Sequence, residues 1–305
     1  MQYMMRTAAL LLLAAGVAQT GCKKSDDTTT PGTEGDGSGA TSTIQVQGSD
    51  TMVNLAQAWA ETYHGVKPNV SVEVGGGGSG VGIAALINGT IDIANASRDM
   101  KADERAKAKN NSGKDANEIV VGYDALAVFV HKDFPLDEIT IEQLYGIFAE
   151  GGKITKWSQL GAKVPGCDSD EIIRVSRQSN SGTYEFFREH VLQKQDFRLG
   201  SRDMNGSKEV VELISSTPCA IGYSGMGYAT EEVKMLKVAP KAGEPAFEPS
   251  IKNVHDKTYP IARPLFMYTL GEPTGAAKDY IDWTLGPDGQ RIVETTGYVP
   301  LSAVE

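Results

Sequence analysis

The sequence predicts an α/β fold of two lobes that are joined by two crossing strands. Three times along the chain, a β-branched or apolar segment is followed by a short polar loop and then by apolar residues at helical spacing. Two apolar runs, residues 119–131 and 259–270, are longer than one ordinary strand. The 34 glycines indicate many turns and argue against a helical bundle.

The two long apolar runs are predicted to cross between the lobes. A chain that leaves one lobe through residues 119–131 and returns through residues 259–270 builds the other lobe from the residues between them. We therefore predict that residues 43–126 and 265–305 form lobe 1, and that residues 127–264 form lobe 2. This plan leaves the space between the lobes for a ligand.

Residues 1–22 are typical of a secretory leader. Arg6 supplies a positive charge, residues 8–18 form an apolar segment that is too short for a transmembrane span, and Gly21 precedes Cys22 at the end. We therefore predict that the protein is exported to the periplasm or the cell surface. The segment resembles a lipoprotein signal, which implies that Cys22 becomes the lipid-modified first residue and anchors the mature protein to a membrane.

The following segment, residues 23–42, contains no large apolar residue and is predicted to be a disordered tether. As a flexible coil it would span about 25 Å root-mean-square, which is long enough for an anchored domain to reach a membrane partner. No later run of about 18 apolar residues occurs, so no further membrane span is predicted.

The charge of the chain argues against nucleic acid as a partner. The formal net charge is −10, and it becomes −11 without the leader because Arg6 is the only charged residue there. A small anionic ligand remains compatible with this charge. Helix N-termini and one or two buried arginines make the electrostatic potential at a binding site positive, whereas the acidic residues are expected on the outer surface.

Cys167 and Cys219 are the cysteines that remain if Cys22 is acylated. Each precedes a predicted strand, and an even pair in an oxidising compartment favours a disulfide. The bond would close a loop of about 50 residues and stabilise the fold by about 4 kcal/mol in the chain-entropy model. Two unpaired buried thiols are the alternative.

A polar loop that separates a predicted strand, residues 171–176, from a predicted helix, residues 184–192, is the first candidate binding loop. Its candidate ligands are Arg177, Ser181, Gly182 and Thr183. A guanidinium, two hydroxyls and the unpaired N–H groups of a first helical turn together favour a tetrahedral oxyanion, which the glycine would allow to approach the backbone. Ordinary turn and capping roles are the alternative.

Three earlier loops have similar composition. The first and second join predicted strands at residues 44–47 and 70–74 to predicted helices at residues 53–63 and 83–87, and the third ends a short strand within residues 91–99. Their candidate ligands are Ser49, Asp50, Thr51 and the Met52 N–H in the first loop, the Gly78 N–H and Ser79 in the second, and Ser97 and Arg98 in the third. The alternatives are helix capping for the first loop, a flexible tip for the second and a surface charge for the third.

The second loop, GGGGSGVG, lacks the GK[ST] of a nucleotide-phosphate loop, so an NTPase is not predicted.

The segment RQSNSGT, residues 177–183, resembles the RxxxSGT segment of the periplasmic phosphate-binding proteins of ABC transporters. In those proteins the Arg, Ser, Gly and Thr contact phosphate. The resemblance covers almost all of residues 43–303, and it assigns Thr51 and the Met52 N–H to the phosphate. Longer family members carry Asp where this chain has Arg98, whereas a shorter branch carries Ser-Arg, as here.

This resemblance implies a two-lobed periplasmic-binding-protein fold of type II. It also implies a monomer without a cofactor that captures inorganic phosphate between its lobes and delivers it to an ABC permease. Another tetrahedral oxyanion, such as sulfate or molybdate, is an alternative ligand.

Selection between phosphate and sulfate depends on a proton. Phosphate keeps at least one proton near neutral pH and sulfate keeps none, so a carboxylate in the site accepts a hydrogen bond from phosphate and repels sulfate. Because Arg98 stands in place of the family carboxylate, we hypothesise that Asp50 accepts this proton, with Asp99 as the second candidate. Helix capping by Asp50 and a surface position for Asp99 are the alternatives.

An enzyme and a metal protein are not predicted. The sequence contains no GxSxG, and its four histidines, His64, His131, His190 and His255, lie in no catalytic motif. Cys167 and Cys219 have no neighbouring histidine, so they do not resemble a zinc site. A secreted phosphatase or esterase that uses Ser181 and a signalling or adhesive surface module are the alternatives from other classes.

Overall fold

The structure, a computed structural model, describes residues 42–302. In this part of the chain the strands are β1 (Ser42–Gly48), β2 (Val70–Gly75), β3 (Ile93–Ala96), β4 (Ala116–His131), β5 (Glu138–Thr140), β6 (Ile173–Arg177), β7 (Arg202–Met204), β8 (Ala220–Gly225), β9 (Val233–Ala239) and β10 (Ala262–Leu270). The α-helices are α1 (Val53–Val66), α2 (Ser79–Ile87), α3 (Ala102–Ser112), α4 (Ile141–Phe148), α5 (Gly182–His190), α6 (Ser207–Ser215), α7 (Ile251–His255), α8 (Gly275–Leu285) and α9 (Pro287–Thr295).

The three predicted units of strand, loop and helix are confirmed. The strand predicted at residues 44–47 lies in β1 and is followed by α1, and the strand at residues 70–74 lies in β2 and is followed by α2. The strand predicted at residues 171–176 overlaps β6, which is followed by α5. The short strand within residues 91–99 is β3.

Helix α2 begins earlier than predicted, at Ser79 rather than at residue 83. Gly80 and Gly82 hide this first turn from a sequence pattern because glycine disfavours helices. In the fold, however, a Cβ atom at Gly82 would lie 2.4 Å from the carbonyl oxygen of Gln47. Glycine therefore lets α2 pack directly on β1, and this packing stabilises the helix.

Strand β4 belongs to both halves of the sheet. Residues 116–125 pair with β10, whereas residues 126–131 pair with β8 and β9, all in antiparallel fashion. The strand order is β2-β1-β3-β10-β4 on one side and β4-β8-β6-β7 on the other. The chain therefore crosses between the two halves within β4.

Each half of the sheet has its own hydrophobic core. On one side, Trp59 of α1 packs in a cluster with Met267 of β10. On the other side, Phe148 of α4 and Phe187 of α5 pack in a cluster with Val128 of β4. The α/β architecture of two lobes that the sequence predicts is thus confirmed.

Cys167 and Cys219 are joined by a disulfide, with their Cα atoms 5.0 Å apart. The bond connects the loop before β6 to the residue that precedes β8, and these two strands are parallel neighbours. Trp157 Nε1 donates a hydrogen bond to the Cys219 carbonyl at 3.1 Å, which fixes the same region to the core of lobe 2.

The predicted leader and the lipid-bearing Cys22 lie outside the described residues. The predicted tether lies outside them as well, except for Ser42, which begins β1. Between residues 42 and 302, no helix combines the length and the apolar character needed to cross a membrane.

Candidate anion-binding site

The polar loops lie at the carboxyl edges of the two halves of the sheet. Because β1 is parallel to β2 and β3, the loops that follow these strands begin at one edge. Because β6 is parallel to β7 and β8, the loops after these strands begin at one edge of the other half. The edges meet directly, since Thr51 Oγ1 after β1 lies 2.7 Å from Thr183 Oγ1 at the start of α5.

Three serine hydroxyls from three loops of lobe 1 form a buried cluster, which we call the serine cluster. Ser49 Oγ donates to Ser97 Oγ at 2.8 Å, and the Ser97 N–H donates to Ser79 Oγ at 3.1 Å. All three residues are at most 2% exposed. A buried hydroxyl requires a hydrogen-bond partner, and because each has one hydrogen that can rotate, a serine of the cluster is able to exchange its present acceptor for an anion oxygen.

The loop before α5 approaches the serine cluster from lobe 2. Ser181 caps α5 by accepting a hydrogen bond from the Thr183 N–H at 3.1 Å, and both residues are buried. A Cβ atom at Gly182 would lie 2.3 Å from Ser79 Oγ and 2.7 Å from Ser97 Oγ. Only glycine therefore allows this approach, which brings the positive end of the α5 dipole against the serine hydroxyls.

Arg177 is a fully buried cation at the end of β6. Its Nη1 donates to Ser207 Oγ and its Nη2 donates to the Asn205 carbonyl, both at 2.9 Å. Its Nε is buried and has no hydrogen-bond partner among residues 42–302. Burial lowers the pKa of Arg177, and the nearby Asp50 carboxylate opposes that shift. Arginine stays protonated in proteins, so Arg177 is a buried positive charge.

Asp50 connects both lobes. Its Oδ1 accepts a hydrogen bond from the Gly77 N–H at 2.8 Å, and its Oδ2 lies 3.3 Å from Arg177 Nη2. Its carbonyl accepts a hydrogen bond from the Tyr228 hydroxyl at 2.8 Å. The carboxylate is therefore next to the buried cation and one residue from Thr51.

Two predicted backbone donors have partners inside lobe 1. The Met52 N–H donates to the Ser49 carbonyl, and the Gly78 N–H donates to the Gly48 carbonyl, both at 2.9 Å. The structure therefore directs these two N–H groups at their own loops rather than at the serine cluster. Gly78 nevertheless contacts lobe 2, because a Cβ atom there would lie 2.6 Å from the Asn180 carbonyl oxygen.

Arg98 is paired with an acidic residue of α3 and has no described hydrogen bond to the serine cluster. Its two terminal nitrogens donate to the two carboxylate oxygens of Glu104, each at 2.8 Å, and Nη1 also donates to the Asp99 carbonyl at 2.8 Å. This bidentate pair occupies the outer edge of the guanidinium. The sequence does not reveal it, because Glu104 lies in α3 and the pair depends on how α3 packs against the loop after β3.

Asp124 and Arg263, which were not predicted from the sequence, lie beside these loops. They are register partners on β4 and β10, and both are almost completely buried. Arg263 donates to Asp124 Oδ2 from Nε at 3.0 Å and from Nη2 at 2.8 Å. Burial raises the pKa of Asp124, and Arg263 opposes that shift.

A signal for this pair is present in the sequence. Asp124 is the only acidic residue of the apolar run 119–131, and Arg263 is the only charged residue of the run 259–270. An unpaired buried charge is costly, so two opposite charges in neighbouring apolar strands predict a buried ion pair.

The arrangement has the chemistry of an anion site. Hydroxyl groups, a helix N-terminus and two buried guanidinium groups all present donors, and each guanidinium has one carboxylate partner. Among residues 42–302, no three or more His, Cys, Asp or Glu side chains are grouped so that they could hold a metal ion.

Comparison with known proteins identifies the family. A family model described as a PBP superfamily domain matches residues 31–288. The chain is 35% identical to the phosphate-binding protein PstS of Pseudomonas aeruginosa over 97% of this chain and 94% of that protein. The chain belongs to the PstS family of phosphate-binding proteins. The PstS protein of Bacillus subtilis is 32% identical over 98% of this chain and 93% of its own length.

Solved structures agree with membership of the PstS family. A candidate phosphate ABC transporter substrate-binding protein from Clostridium perfringens, determined with bound phosphate, is 30% identical and superposes with a TM-score of 0.75 over 85% of this chain and 100% of that one. An ABC-type phosphate transport receptor from Vibrio cholerae is 25% identical, with a TM-score of 0.66 over 84% of this chain and 99% of that one. The chain therefore has the type II periplasmic-binding-protein fold, and its family consists of solute-binding transport proteins rather than enzymes.

Proposed function

We propose that this protein captures inorganic phosphate between its two lobes outside the cytoplasm and presents it to the permease of an ABC transporter. The observation that carries the proposal is the buried meeting point of the two lobes. There, Thr51 lies against Thr183, the serine cluster lies against Gly182 at the N-terminus of α5, and the buried Arg177 is paired with Asp50. Family membership agrees with this ligand, because the Clostridium perfringens protein was determined with phosphate bound.

The binding set would be hydroxyl donors arranged around one buried cation. We propose as the phosphate ligands Ser49, Thr51, Ser79, Ser97, Arg177, Ser181, Gly182 and Thr183, and the hydrogen bonds and close approaches among the loops that carry them support this choice. Micromolar affinity requires about −8 kcal/mol. Hydrogen bonds to charged groups contribute about 1.5 to 3 kcal/mol each, so a few of these donors suffice.

Capture would follow from hinge motion of the crossing strands. We propose lobe 1 as residues 43–126 and 265–305 and lobe 2 as residues 127–264, because the two hydrophobic clusters separate along β4 close to residue 126. Closing the lobes would bring Thr51 to Thr183 and replace the water around phosphate with fixed donors. The protein would act as a monomer, since each lobe supplies its own share of the donors.

Titration calorimetry of the purified protein with inorganic phosphate and with sulfate tests the ligand. We expect phosphate to bind about a hundredfold more tightly, because the Asp50 carboxylate beside Arg177 accepts the proton that sulfate lacks. Each Asp50 oxygen has one donor in the protein, so lone pairs remain for this hydrogen bond. Asp50→Asn should bring the two affinities closer together.

Two results of this titration would contradict the proposal. Equal wild-type affinities would make the protein a general oxyanion binder, and absent phosphate binding would remove the proposed function. Asp99→Asn is the matched comparison for selectivity. If it changes the phosphate-to-sulfate ratio and Asp50→Asn does not, the proton acceptor is Asp99.

We propose further that residues 1–22 are a lipoprotein signal and that Cys22 carries the membrane anchor. Labelling cells with a palmitate analogue should mark the wild-type protein, and the label should be absent from Cys22→Ser. The unmodified variant should appear in the soluble fraction, because the lipid supplies the membrane affinity. An unlabelled wild type that is soluble would contradict the anchor and leave the phosphate proposal unaffected.

A further inference from the structure

Arg263 reaches three of the binding loops from the crossing strand β10. Its Nη1 donates to the Ser97 carbonyl at 3.0 Å. Its Nη2 donates to Thr183 Oγ1 at 2.9 Å and lies 3.3 Å from Thr51 Oγ1. Ser97 and Thr51 belong to lobe 1 and Thr183 belongs to lobe 2, so one guanidinium contacts both lobes where they meet.

The orientation of Arg263 is fixed by its neighbours. Asp124 accepts hydrogen bonds from the Nε and Nη2 edge, and the guanidinium lies over the ring of Phe186 at 5.5 Å. A second carboxylate oxygen, Asp124 Oδ1, accepts a hydrogen bond from the Met226 N–H at 3.1 Å. With one edge held by Asp124, the remaining edge of Arg263 faces the hydroxyls of Thr51 and Thr183.

Arg98, unlike Arg263, has no described hydrogen bond to a hydroxyl of the proposed site. The two terminal nitrogens of Arg98 are both bound by Glu104, and no described contact joins its guanidinium to a hydroxyl of the site. Arg263 instead contacts two hydroxyls that lie 2.7 Å from each other. A phosphate oxygen bound by these hydroxyls would therefore be within reach of Arg263.

The number of charged donors gives a reason for a second guanidinium in the site. Arg177 is paired with Asp50 and Arg263 with Asp124, so each pair is formally neutral and contributes charged N–H donors rather than net charge. Burying a phosphate ion is costly unless such donors bind its oxygens. A second guanidinium, itself preorganised by a carboxylate, adds charge-assisted donors in a place where no side-chain movement is required.

We propose that Arg263 is a direct phosphate ligand and the second cation of the site, and that Asp124 is the positioning residue that holds it there. The inference rests on the proposed function. Both residues lie on the crossing strands, so the contact between Arg263 and phosphate would connect ligand binding to the hinge that closes the lobes. When the lobes separate, Arg263 would lose its hydrogen bond to Thr51, to Thr183 or to both.

The test is phosphate titration of a double variant, Asp124→Asn with Arg263→Gln, which leaves no unpaired charge in the core. We expect a loss of phosphate affinity of about thirtyfold or more. The matched control replaces a partly exposed ion pair of lobe 2, Arg188→Gln with Asp196→Asn, and should change the affinity by less than about twofold. Circular dichroism and the melting temperature without phosphate show whether each variant is folded.

Two single variants make the result specific. Arg263→Lys keeps the positive charge, so it should bind phosphate more tightly than the double variant. It should still bind more weakly than the wild type, because a lysine ammonium lacks the planar guanidinium that binds two acceptors at once. Asp124→Asn alone keeps the cation and loses its fixed orientation, so its affinity should fall between those of the wild type and the double variant. These intermediate affinities are not expected of a residue pair that only stabilises the hinge.

The inference is overturned if the folded double variant binds phosphate within about threefold of the wild type. It is also overturned if Arg98→Gln loses as much affinity as the double variant while Arg263→Lys is unchanged. If the double variant does not fold, the titration of Arg263→Lys decides, and unchanged affinity there excludes the ligand role. Absence of phosphate binding by the wild type would instead remove the proposed function, so the two failures are distinguishable.

Discussion

Replacing Arg177 by glutamine is expected to weaken phosphate binding by about a hundredfold or more. The side chain is fully buried and pairs with Asp50, which follows Ser49 and precedes Thr51 in the first binding loop, so the substitution removes the proposed cation of the site. It also leaves the Asp50 carboxylate without its cation beside the bound anion. Titration calorimetry with inorganic phosphate measures the effect.

Arg174→Gln is the matched control because it removes another arginine from the same strand, β6. Arg174 donates to the Leu199 carbonyl at 3.2 Å, and no described contact joins it to the proposed phosphate ligands, so its loss should change the affinity by less than about twofold. Removing a buried cation also affects folding, and the unliganded melting temperature of Arg177→Gln must therefore be measured. Arg177→Lys, which keeps the charge, should lose less affinity than Arg177→Gln. Phosphate affinity that is unchanged in both variants would exclude Arg177 from the site.

The second large effect is expected for Gly182→Ala, which should also lower phosphate affinity by about a hundredfold. The added Cβ would lie 2.3 Å from Ser79 Oγ and 2.7 Å from Ser97 Oγ. The loop before α5 must then move away, or both serines must leave their hydrogen bonds. In either case the closed arrangement of donors is lost.

Gly65→Ala is the control for this steric effect, because a Cβ atom there meets no atom within 4 Å. Both substitutions place alanine in a helix, where alanine is favoured over glycine, so neither should destabilise the separated lobes. Small-angle scattering should show that phosphate compacts the wild type and Gly65→Ala but not Gly182→Ala. Compaction of Gly182→Ala with wild-type affinity would show that the loop accommodates the methyl group.

The sequence is sufficient to locate the proposed binding loops because their signals are local. Hydroxyl residues and glycines between a strand and a helix are visible within about ten residues, as at Thr51 and at Ser181 to Thr183. The carboxyl ends of parallel strands lie at the same edge, so such loops are expected to converge. The structure joins Ser49, Ser79 and Ser97 in this way.

Helix α2 shows a limit of local patterns. Its first turn contains Gly80 and Gly82, which a propensity argument assigns to a loop. The turn is helical because the absence of a Cβ at Gly82 allows the backbone to lie on β1. That stabilisation comes from another element of the fold and is invisible within the segment itself.

By itself, then, the sequence determined the class of the fold, the family, and the loops that supply the hydroxyl donors. Only the tertiary structure decided which arginines face those donors, because charge pairing depends on partners that are distant in sequence. Arg98 is bound by Glu104 of α3, whereas Arg263 is placed beside Thr51 and Thr183 by its register with Asp124. The register between β4 and β10 joins residues 139 positions apart, and the cost of an unpaired buried charge makes the Arg263–Asp124 pair depend on that register.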